Sequence, residues 1–434
     1  MKLTSIAANL CLVILFCNAC VATDPVSPVT TVSPEPSPGW QQWHGPNRDG
    51  KSLETGLLKS WPTNGPALLW KSPDIGTGWS TVSVGGGLIY TSGLRHEGTN
   101  YSEKQGSIWL TALDMDGKIK WSKDVGPAFV GHHVYQGARA TPTYDNGDLY
   151  LLLGLGMLGC YDAKTGDTKW QRDIQKDFQA QKIKWQFAES LLVLDDKVIA
   201  TPGGTNSFMV ALNKEDGTTV WESGPFGSAG YSSPIYVEYE GIPMIINGAA
   251  DGIAGVHAET GKILWTQEFA KGNTANCPTP VFEDGYVFWA VGYKKGGICL
   301  KLSVSGKRVK ATEVWRTMDV RTQYGGYVIH DGYIYGNDMY KWSCLELKTG
   351  KLMWKATGVR KGAISYADGM LYLYGIDKGH TVLAPASPQG LEPTGEFKII
   401  HKKGPPGRAH PVICDGRLYL RFPTSIYCYD IKAK

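Results

Sequence analysis

The sequence contains no long amphipathic helical pattern, and phenylalanine is its rarest aromatic residue. Its 434 residues include 11 phenylalanines, compared with 15 tryptophans, 22 tyrosines and 54 glycines. The missing helical period excludes a helical bundle, whereas frequent glycine turns combined with tryptophan and tyrosine favour many short strands. The sequence therefore predicts an all-β protein that is long enough to bury a substantial core.

Basic clusters and membrane-length apolar segments are also missing. The net charge is +4 and the basic residues are spread along the chain, so the charge gives no reason to expect a nucleic-acid partner. The N-terminal apolar run, residues 6–16, is too short to span a bilayer stably and has the size of a signal-peptide core. We therefore predict an exported protein.

The apolar run ends at Cys17-Asn18-Ala19-Cys20. With Ala19 before Cys20, this end resembles a bacterial lipobox, which would make residues 1–19 a signal peptide and Cys20 the lipidated first residue. Ordinary cleavage after Ala22 is the alternative, because Cys20 and Ala22 also fit a small-x-small cleavage site.

Residues 20–39 are rich in proline, serine and threonine. Such a segment cannot pack a core and tends to be extended. We expect a tether that holds a single domain, residues 40–434, away from a membrane.

One pattern recurs through that domain: a small residue, a polar turn that contains glycine, three further residues and a tryptophan. It is complete in residues 161–170, and intact copies end at Trp121, Trp170, Trp221, Trp265 and Trp354. A stretched copy ends at Trp315 and a degenerate one at Phe397. This many copies show that the chain is an array of repeats.

A second element recurs eight times, as a two-residue turn followed by an apolar strand. The turns are at 86–87, 146–147, 195–196, 240–241, 284–285, 331–332, 368–369 and 415–416. Several are Asp-Gly, which supplies the positive φ of a tight type I′ hairpin. Together the two elements predict four antiparallel strands in about 45 residues, which is a blade of a β-propeller.

The two ends of the chain give the number of blades. The unit that starts at the eighth turn stops after three strands, while a lone strand at 67–71, with Trp70 in the tryptophan position, precedes the first turn. Pairing them closes the ring and removes both sheet edges. The sequence therefore predicts an eight-bladed β-propeller of four-stranded antiparallel blades, closed by an N-terminal strand.

The tryptophan repeat resembles that of the pyrroloquinoline-quinone-like (PQQ-like) propellers, which include quinoprotein alcohol dehydrogenases and BamB. Residues 40–50, 229–234 and 274–280 resemble the exported PQQ-like repeat proteins of planctomycete-type bacteria. The resemblance covers roughly residues 40–432 and implies the fold. It does not determine the function, since one propeller fold serves many functions.

The repeated tryptophans are expected to pack between neighbouring blades, with each indole N–H on a backbone carbonyl next door. Three cysteines occupy positions that are small in other blades: Cys160, Cys344 and Cys428. Three others fall at no repeated position: Cys277, Cys299 and Cys414. We expect mostly free, buried thiols, because cysteines in non-adjacent blades are too far apart for a disulfide.

The candidate ligand site is the central channel, which the innermost strand of each blade should line. The residues that lead into these strands should converge on one funnel: Trp79, Arg139, Glu189, Tyr231, Asn276, Tyr324, Lys361, Arg408 and His410. The alternative is that these polar residues only line a water-filled channel. His132-His133 suggests a metal, but with no third ligand identified a surface loop is favoured, and we predict no metal site.

The resemblance implies what a quinoprotein dehydrogenase would require: PQQ beside a calcium ion held by carboxylate and amide oxygens, an aspartate base and commonly an adjacent pair of cysteines. The sequence has no Cys-Cys pair, no Cys-x-x-Cys-His haem motif and no Gly-x-Ser-x-Gly hydrolase elbow. Glu189 and Asn276 are the candidate calcium ligands.

We therefore predict a non-enzymatic binding or scaffold module for an envelope protein, peptide or glycan. It would be a monomer, lipid-anchored in the periplasm or at the outer membrane or cell surface. The alternative is a PQQ-dependent oxidoreductase with calcium. A BamB-like role in outer-membrane barrel assembly is a narrower hypothesis.

Overall fold

The computed structural model describes residues 39–96, 106–129, 137–273, 275–400 and 406–434. Within these ranges the chain forms eight four-stranded antiparallel sheets and one short helix, α1 (Ile174–Asp177). No helix in the described ranges is long and apolar enough to cross a bilayer. The predicted signal peptide, Cys20, residues 20–38 of the tether and the His132-His133 pair lie outside these ranges.

Strand β1 (Ala67–Ser72) precedes the first blade. Blade one contains β2 (Ser83–Gly85), β3 (Leu88–Arg95), β4 (Ser107–Leu113) and β5 (Ile119–Pro127). Blade two contains β6 (Thr143–Asp145), β7 (Asp148–Leu152), β8 (Met157–Asp162) and β9 (Thr168–Asp173). Blade three contains β10 (Leu192–Leu194), β11 (Lys197–Ala200), β12 (Val210–Asn213) and β13 (Thr219–Glu222). Blade four contains β14 (Ile235–Tyr239), β15 (Ile242–Gly248), β16 (Gly252–His257) and β17 (Ile263–Glu268).

The second half of the ring repeats this order. Blade five contains β18 (Val281–Glu283), β19 (Tyr286–Val291), β20 (Gly296–Ser305) and β21 (Arg308–Thr317). Blade six contains β22 (Tyr327–His330), β23 (Tyr333–Asn337), β24 (Trp342–Glu346) and β25 (Leu352–Ala356). Blade seven contains β26 (Gly362–Ala367), β27 (Met370–Gly375), β28 (His380–Pro385) and β29 (Gly395–Lys398). Blade eight contains β30 (Val412–Cys414), β31 (Arg417–Arg421) and β32 (Ile426–Asp430).

The N-terminal strand completes blade eight. β1 pairs antiparallel with β32, and Trp70 lies opposite Cys428. The predicted eight-bladed ring and its closure are confirmed. First strands of neighbouring blades contact each other, as β2 does with β6 and β22 with β26, so these strands surround the central channel.

The predicted hairpin turns are confirmed by their backbone angles. In seven of the eight turns both residues have positive φ, from 46° to 59° at the first residue and from 68° to 94° at the glycine that follows. Two positive φ values in succession define a type I′ turn, which matches the right-handed twist of the strands.

The repeated tryptophans join neighbouring blades. The indole Nε1 of Trp121 donates to the carbonyl oxygen of Ala163 in the next blade, at 3.2 Å. Its ring lies on the turn at Gly166, where a Cβ would come within 2.7 Å of the ring, so this turn must be glycine. The same indole bond to the next blade recurs at Trp70, Trp170, Trp221, Trp315 and Trp354.

The predicted state of the cysteines, mostly free and buried, is confirmed, whereas the predicted position of one of them is not. The six in the described ranges are free thiols, and all are buried except Cys277, which is half-buried. Cys299 lies opposite Trp315, as Cys160 lies opposite Trp170. The prediction that Cys299 has no repeated position is therefore wrong. The long hairpin β20–β21 separates it from its tryptophan by more residues than in other blades.

Residues 40–52 form an N-terminal arm that the repeat pattern did not predict. The arm crosses the central channel and contacts every blade. Its partners, in blade order, are Val84, Tyr144, Leu191, Pro234, Thr279, Val328, Tyr366 and His410.

Arg48 anchors the arm. Its side chain, 1% exposed, donates to the backbone oxygens of Pro234, Leu191 and Ser190, and to Oε1 of Gln42. Burial lowers the pKa of Arg48 to about 9, and the nearby carboxyl of Glu189 acts in the opposite direction. One side chain thus ties the arm to blades three and four.

Candidate functional site

A cavity of about 310 Å³ lies between the arm and the segments that lead into the first strands. Six of the nine predicted residues line it: Trp79, Arg139, Tyr231, Tyr324, Arg408 and His410. The other lining residues are Trp43, Trp185, Ala188, Ser190, Ser233, Ala275, Cys277 and Tyr293. The structure therefore brings residues from the arm and most of the blades to one site.

The other three predicted residues do not line the cavity: Lys361 lies beside it, and Glu189 and Asn276 point away from it. Ala188 and Ser190 line it on either side of Glu189, and Ala275 and Cys277 line it on either side of Asn276. Successive side chains of an extended segment point in opposite directions, so the residue between two lining residues points away. The expectation that Glu189 and Asn276 face the funnel is therefore wrong: the residues directly before and after each of them face it instead.

The side chains of Glu189 and Asn276 make buried hydrogen bonds within the propeller. The carboxyl of Glu189 accepts from the backbone N–H of Thr201 at 2.9 Å and from its hydroxyl at 3.2 Å. Burial raises the pKa of Glu189 to about 8, against these hydrogen bonds and the charge of Arg48. The amide of Asn276 donates to the backbone oxygens of residues 249 and 250 in blade four.

Cationic side chains surround two aromatic rings at the cavity. The guanidinium carbons of Arg139 and Arg408 lie 5.2 and 4.6 Å from the ring centre of Trp79. Arg408 also lies 5.0 Å from the ring of Tyr324, and the Lys361 ammonium lies 4.3 Å from it. These distances are typical of cation–π contacts.

The positive charges stand close enough to affect one another. Burial lowers the pKa of Arg139 to about 10, and the charge of Arg408 adds to this effect. Burial also lowers the pKa of Lys361 to about 8, again with Arg408 acting in the same direction. Lys361 does not line the cavity but lies beside it, in contact with Gln323. A negative charge in the cavity would relieve this repulsion.

A pair of neutral histidines packs against Trp43. The Trp43 ring stacks on His44 with centres 4.3 Å apart, and its Nε1 donates to Thr279. His410 Nε2 faces the carbonyl oxygen of Tyr324 at 2.9 Å and must donate to it, so His410 Nδ1 accepts from His44 Nε2 at 3.0 Å. Burial lowers the pKa of both histidines, that of His410 to about 4, in agreement with neutral rings.

Three hydroxyl groups line the wall with their oxygens already used as acceptors. Ser190 Oγ accepts from the backbone N–H of Thr141, and Ser233 Oγ accepts from the N–H of Ser190, both at 2.9 Å. Tyr231 accepts from the N–H of Trp185 at 3.2 Å. Each hydroxyl retains its own hydrogen as a donor.

The lining residues fit the carboxylates of a quinone cofactor better than they fit its calcium ion. No aspartate or glutamate lines the cavity in the described part of the chain. Calcium needs several oxygen ligands, and Glu189 and Asn276 are turned into the wall. The one described cluster with metal-binding geometry, Glu54, Cys414 and Asp415, lies at the β30–β31 turn, and Glu54 there accepts backbone N–H bonds.

The sequence did not indicate several of the lining residues. Trp43 belongs to the arm, which has no repeat to locate it. Trp185 and Tyr293 lie in loops of different length, at the connection before β10 and in the β19–β20 turn. In each blade, the segment before the first strand and the turn between the second and third strands lie at the same end. An aromatic residue in either of these loops was the signal that could have identified Trp185 and Tyr293.

Comparison with known proteins gives partial relatives. Quinoprotein alcohol dehydrogenase PedH of Pseudomonas putida is 25% identical over 255 residues, 55% of this chain and 38% of PedH. Tetrathionate hydrolase of Acidithiobacillus ferrooxidans is 26% identical over 316 residues, 65% of this chain and 48% of that protein. The chain thus spans less than half the length of either relative.

Solved structures share the fold. BamB from Moraxella catarrhalis superposes with a TM-score of 0.59 at 15% identity, over 85% of this chain and 98% of that one. Quinohemoprotein alcohol dehydrogenase from Comamonas testosteroni gives 0.64 at 14% identity, over 92% and 81%. A family profile described as outer membrane protein assembly factor BamB matches residues 62–173 and 104–356, well over half of the chain. The chain therefore belongs to this BamB-like family of PQQ-like β-propellers.

Proposed function

We propose that the chain is an exported, membrane-tethered binding module of the cell envelope, which takes an anionic ligand into the cavity above the arm. The observation that carries the proposal is the composition of the site. Arg139 and Arg408 line the cavity and Lys361 lies beside it, whereas no carboxylate lines it among the described residues. Such a site favours a negatively charged group that carries an apolar or ring-shaped face.

The N-terminal sequence and the family support the location. The apolar run, the lipobox-like end at Cys20 and the proline-rich tether together favour a lipid-anchored protein. The family itself is described as an outer-membrane assembly factor, which agrees with an envelope location. A BamB-like role would further require a stable complex with the outer-membrane assembly machinery, which co-purification from solubilised membranes would detect.

The competing function is a PQQ-dependent oxidoreductase, which the dehydrogenases among the relatives favour. Arg139 and Arg408 would suit the carboxylates of the quinone, and the aromatic rings would suit its plane. The described lining lacks the oxygen ligands that calcium needs, so we derive no reaction step through this cofactor.

Reconstitution separates the two functions. Purified protein is mixed with PQQ and Ca²⁺, and dye reduction is followed with alcohols and sugars as substrates. We expect no calcium-dependent turnover, whereas calorimetric titration with organic anions should show binding that weakens as salt is added. Dye reduction that requires protein, PQQ and Ca²⁺ together would overturn the binding-module proposal.

A further inference from the structure

The cavity wall combines features that select among anionic ligands. The hydroxyls of Ser190, Ser233 and Tyr231 each accept a backbone N–H and keep a hydrogen to donate. An inorganic anion or a flat aromatic acid uses few such donors, because its acceptors are confined to its charged groups. A polyhydroxylated ligand offers an acceptor to each of them.

The rings of the site suit a ligand with an apolar face. Trp43 is held by its bond to Thr279 and by stacking on His44, so its orientation is fixed before a ligand arrives. A preorganised ring costs little entropy on binding. A pyranose has an apolar C–H face that can pack on such a ring, which would leave the hydroxyls at its edge to accept from the wall.

We propose that the ligand is a carboxylated sugar, a uronate residue of a glycan, with its carboxylate between Arg139 and Arg408 and its ring on the aromatic lining. This inference rests on the proposed binding function and specifies its ligand. The cavity volume of about 310 Å³ lies at the small end of the range of small-molecule pockets, about 300–1,000 Å³, which suits a single sugar residue at a chain end.

Calorimetric titration of the full chain with four probes tests the proposal. They are α-1,4-linked digalacturonate, the neutral α-1,4-linked galactobiose, the flat acid benzene-1,3-dicarboxylate and a tetraglutamate peptide. We expect digalacturonate to bind on the order of tenfold or more tightly than galactobiose, since a charge-assisted bidentate contact has about this effect.

Two variants identify the site. Arg408→Gln should remove the preference for digalacturonate over galactobiose, whereas Arg408→Lys should keep part of it. The matched control is Arg95→Gln, because Arg95 also lies 4.6 Å from a tryptophan ring, that of Trp109, outside the cavity. Tyr231→Phe should weaken digalacturonate by about twofold to tenfold and leave benzene-1,3-dicarboxylate unchanged.

The outcomes distinguish failure of the uronate inference from failure of the proposed anion-binding function. If benzene-1,3-dicarboxylate or the peptide binds as tightly as digalacturonate, the sugar inference is wrong and the anion-binding function stands. Equal binding of the acidic and neutral disaccharides would also overturn the inference. If none of the four probes binds, both the inference and the proposed function are wrong, and binding of PQQ only together with calcium would favour the oxidoreductase.

Discussion

At the scale of single residues, Glu189 makes the stability of the ring depend on pH. Burial raises the pKa of Glu189 to about 8, so between pH 4.5 and 8 the folded protein holds a proton that the unfolded chain releases. Stability must then fall as the pH rises through this window. We expect the wild type to lose up to roughly 4 kcal/mol relative to Glu189→Gln between pH 5 and pH 8.

Guanidinium titrations at pH 5 and pH 8 measure this difference for the two proteins. The comparison cancels the contributions of titrating groups that do not interact with Glu189, such as the two buried histidines. Glu238→Gln, on the exposed side of β14, is the control and should follow the wild type at both pH values. A constant difference between wild type and Glu189→Gln would contradict the prediction.

Arg48 provides a second prediction at this scale. Replacing it by glutamine removes the guanidinium donors to the backbone oxygens of Ser190 and Pro234, whereas that of Leu191 still accepts from the hydroxyl of Thr143. Two buried carbonyls without donors each cost about 1–3 kcal/mol, so we expect a loss of about 2 kcal/mol or more in the free energy of unfolding. Arg308→Gln on the exposed β21 hairpin is the control for thermal melting. A melting temperature equal to that of the control would show that the arm is not anchored by Arg48.

Part of the cavity lining could be predicted from the sequence. The repeat located the segments that lead into the first strands, and six residues chosen from them line the cavity. Glu189 and Asn276 belong to the same segments, but the alternation of side chains turns them into the wall. Trp43 could not be found in this way, because nothing in the repeat indicates that a single-copy segment enters the channel.

At the scale of the repeated elements, two neighbouring tryptophans differ in a single bond. Trp221 and Trp265 occupy the same position in blades three and four and are 8% and 6% exposed. Trp221 Nε1 donates to Ala258 O at 3.0 Å, whereas Trp265 Nε1 is buried without a partner in the described chain. The pair therefore separates the indole hydrogen bond from the packing of the ring.

Substituting each of these tryptophans with phenylalanine measures the bond. Both substitutions shrink the ring, but only Trp221→Phe leaves a buried carbonyl without its donor. We expect Trp221→Phe to be destabilised by about 1–2 kcal/mol more than Trp265→Phe in guanidinium titrations. Equal losses would mean that ring packing alone joins the blades.

The fold was predictable because its elements repeat. A type I′ turn requires two residues with positive φ, and the tryptophan ring leaves no room for a Cβ on the turn beneath it. Glycine therefore recurs at the same two positions of the repeat, where it can be recognised in the sequence. Eight copies then fixed the number of blades. Cys299 escaped the pattern because the β20–β21 hairpin is longer than its counterparts, which shifted the spacing on which the comparison depended.

At the scale of the whole molecule, the N-terminal region closes the ring in two ways. Strand β1 completes blade eight and covers the edge of β32, while the arm contacts all eight blades across the channel. Without β1 the ring would present an open strand edge, which is prone to pair with other chains. Without the arm the blades would remain paired, but the cavity would lose Trp43.

Two deletions separate these roles. Removing residues 40–52 should keep the β-sheet circular dichroism and the oligomeric state of the full chain, but lower the melting temperature and abolish ligand binding. Removing residues 40–71 should in addition produce aggregation, because the edge of β32 is then exposed. If the longer deletion melts at the temperature of the full chain, β1 does not close the ring. If the shorter deletion binds ligand as well as the full chain, the arm does not form the floor of the cavity.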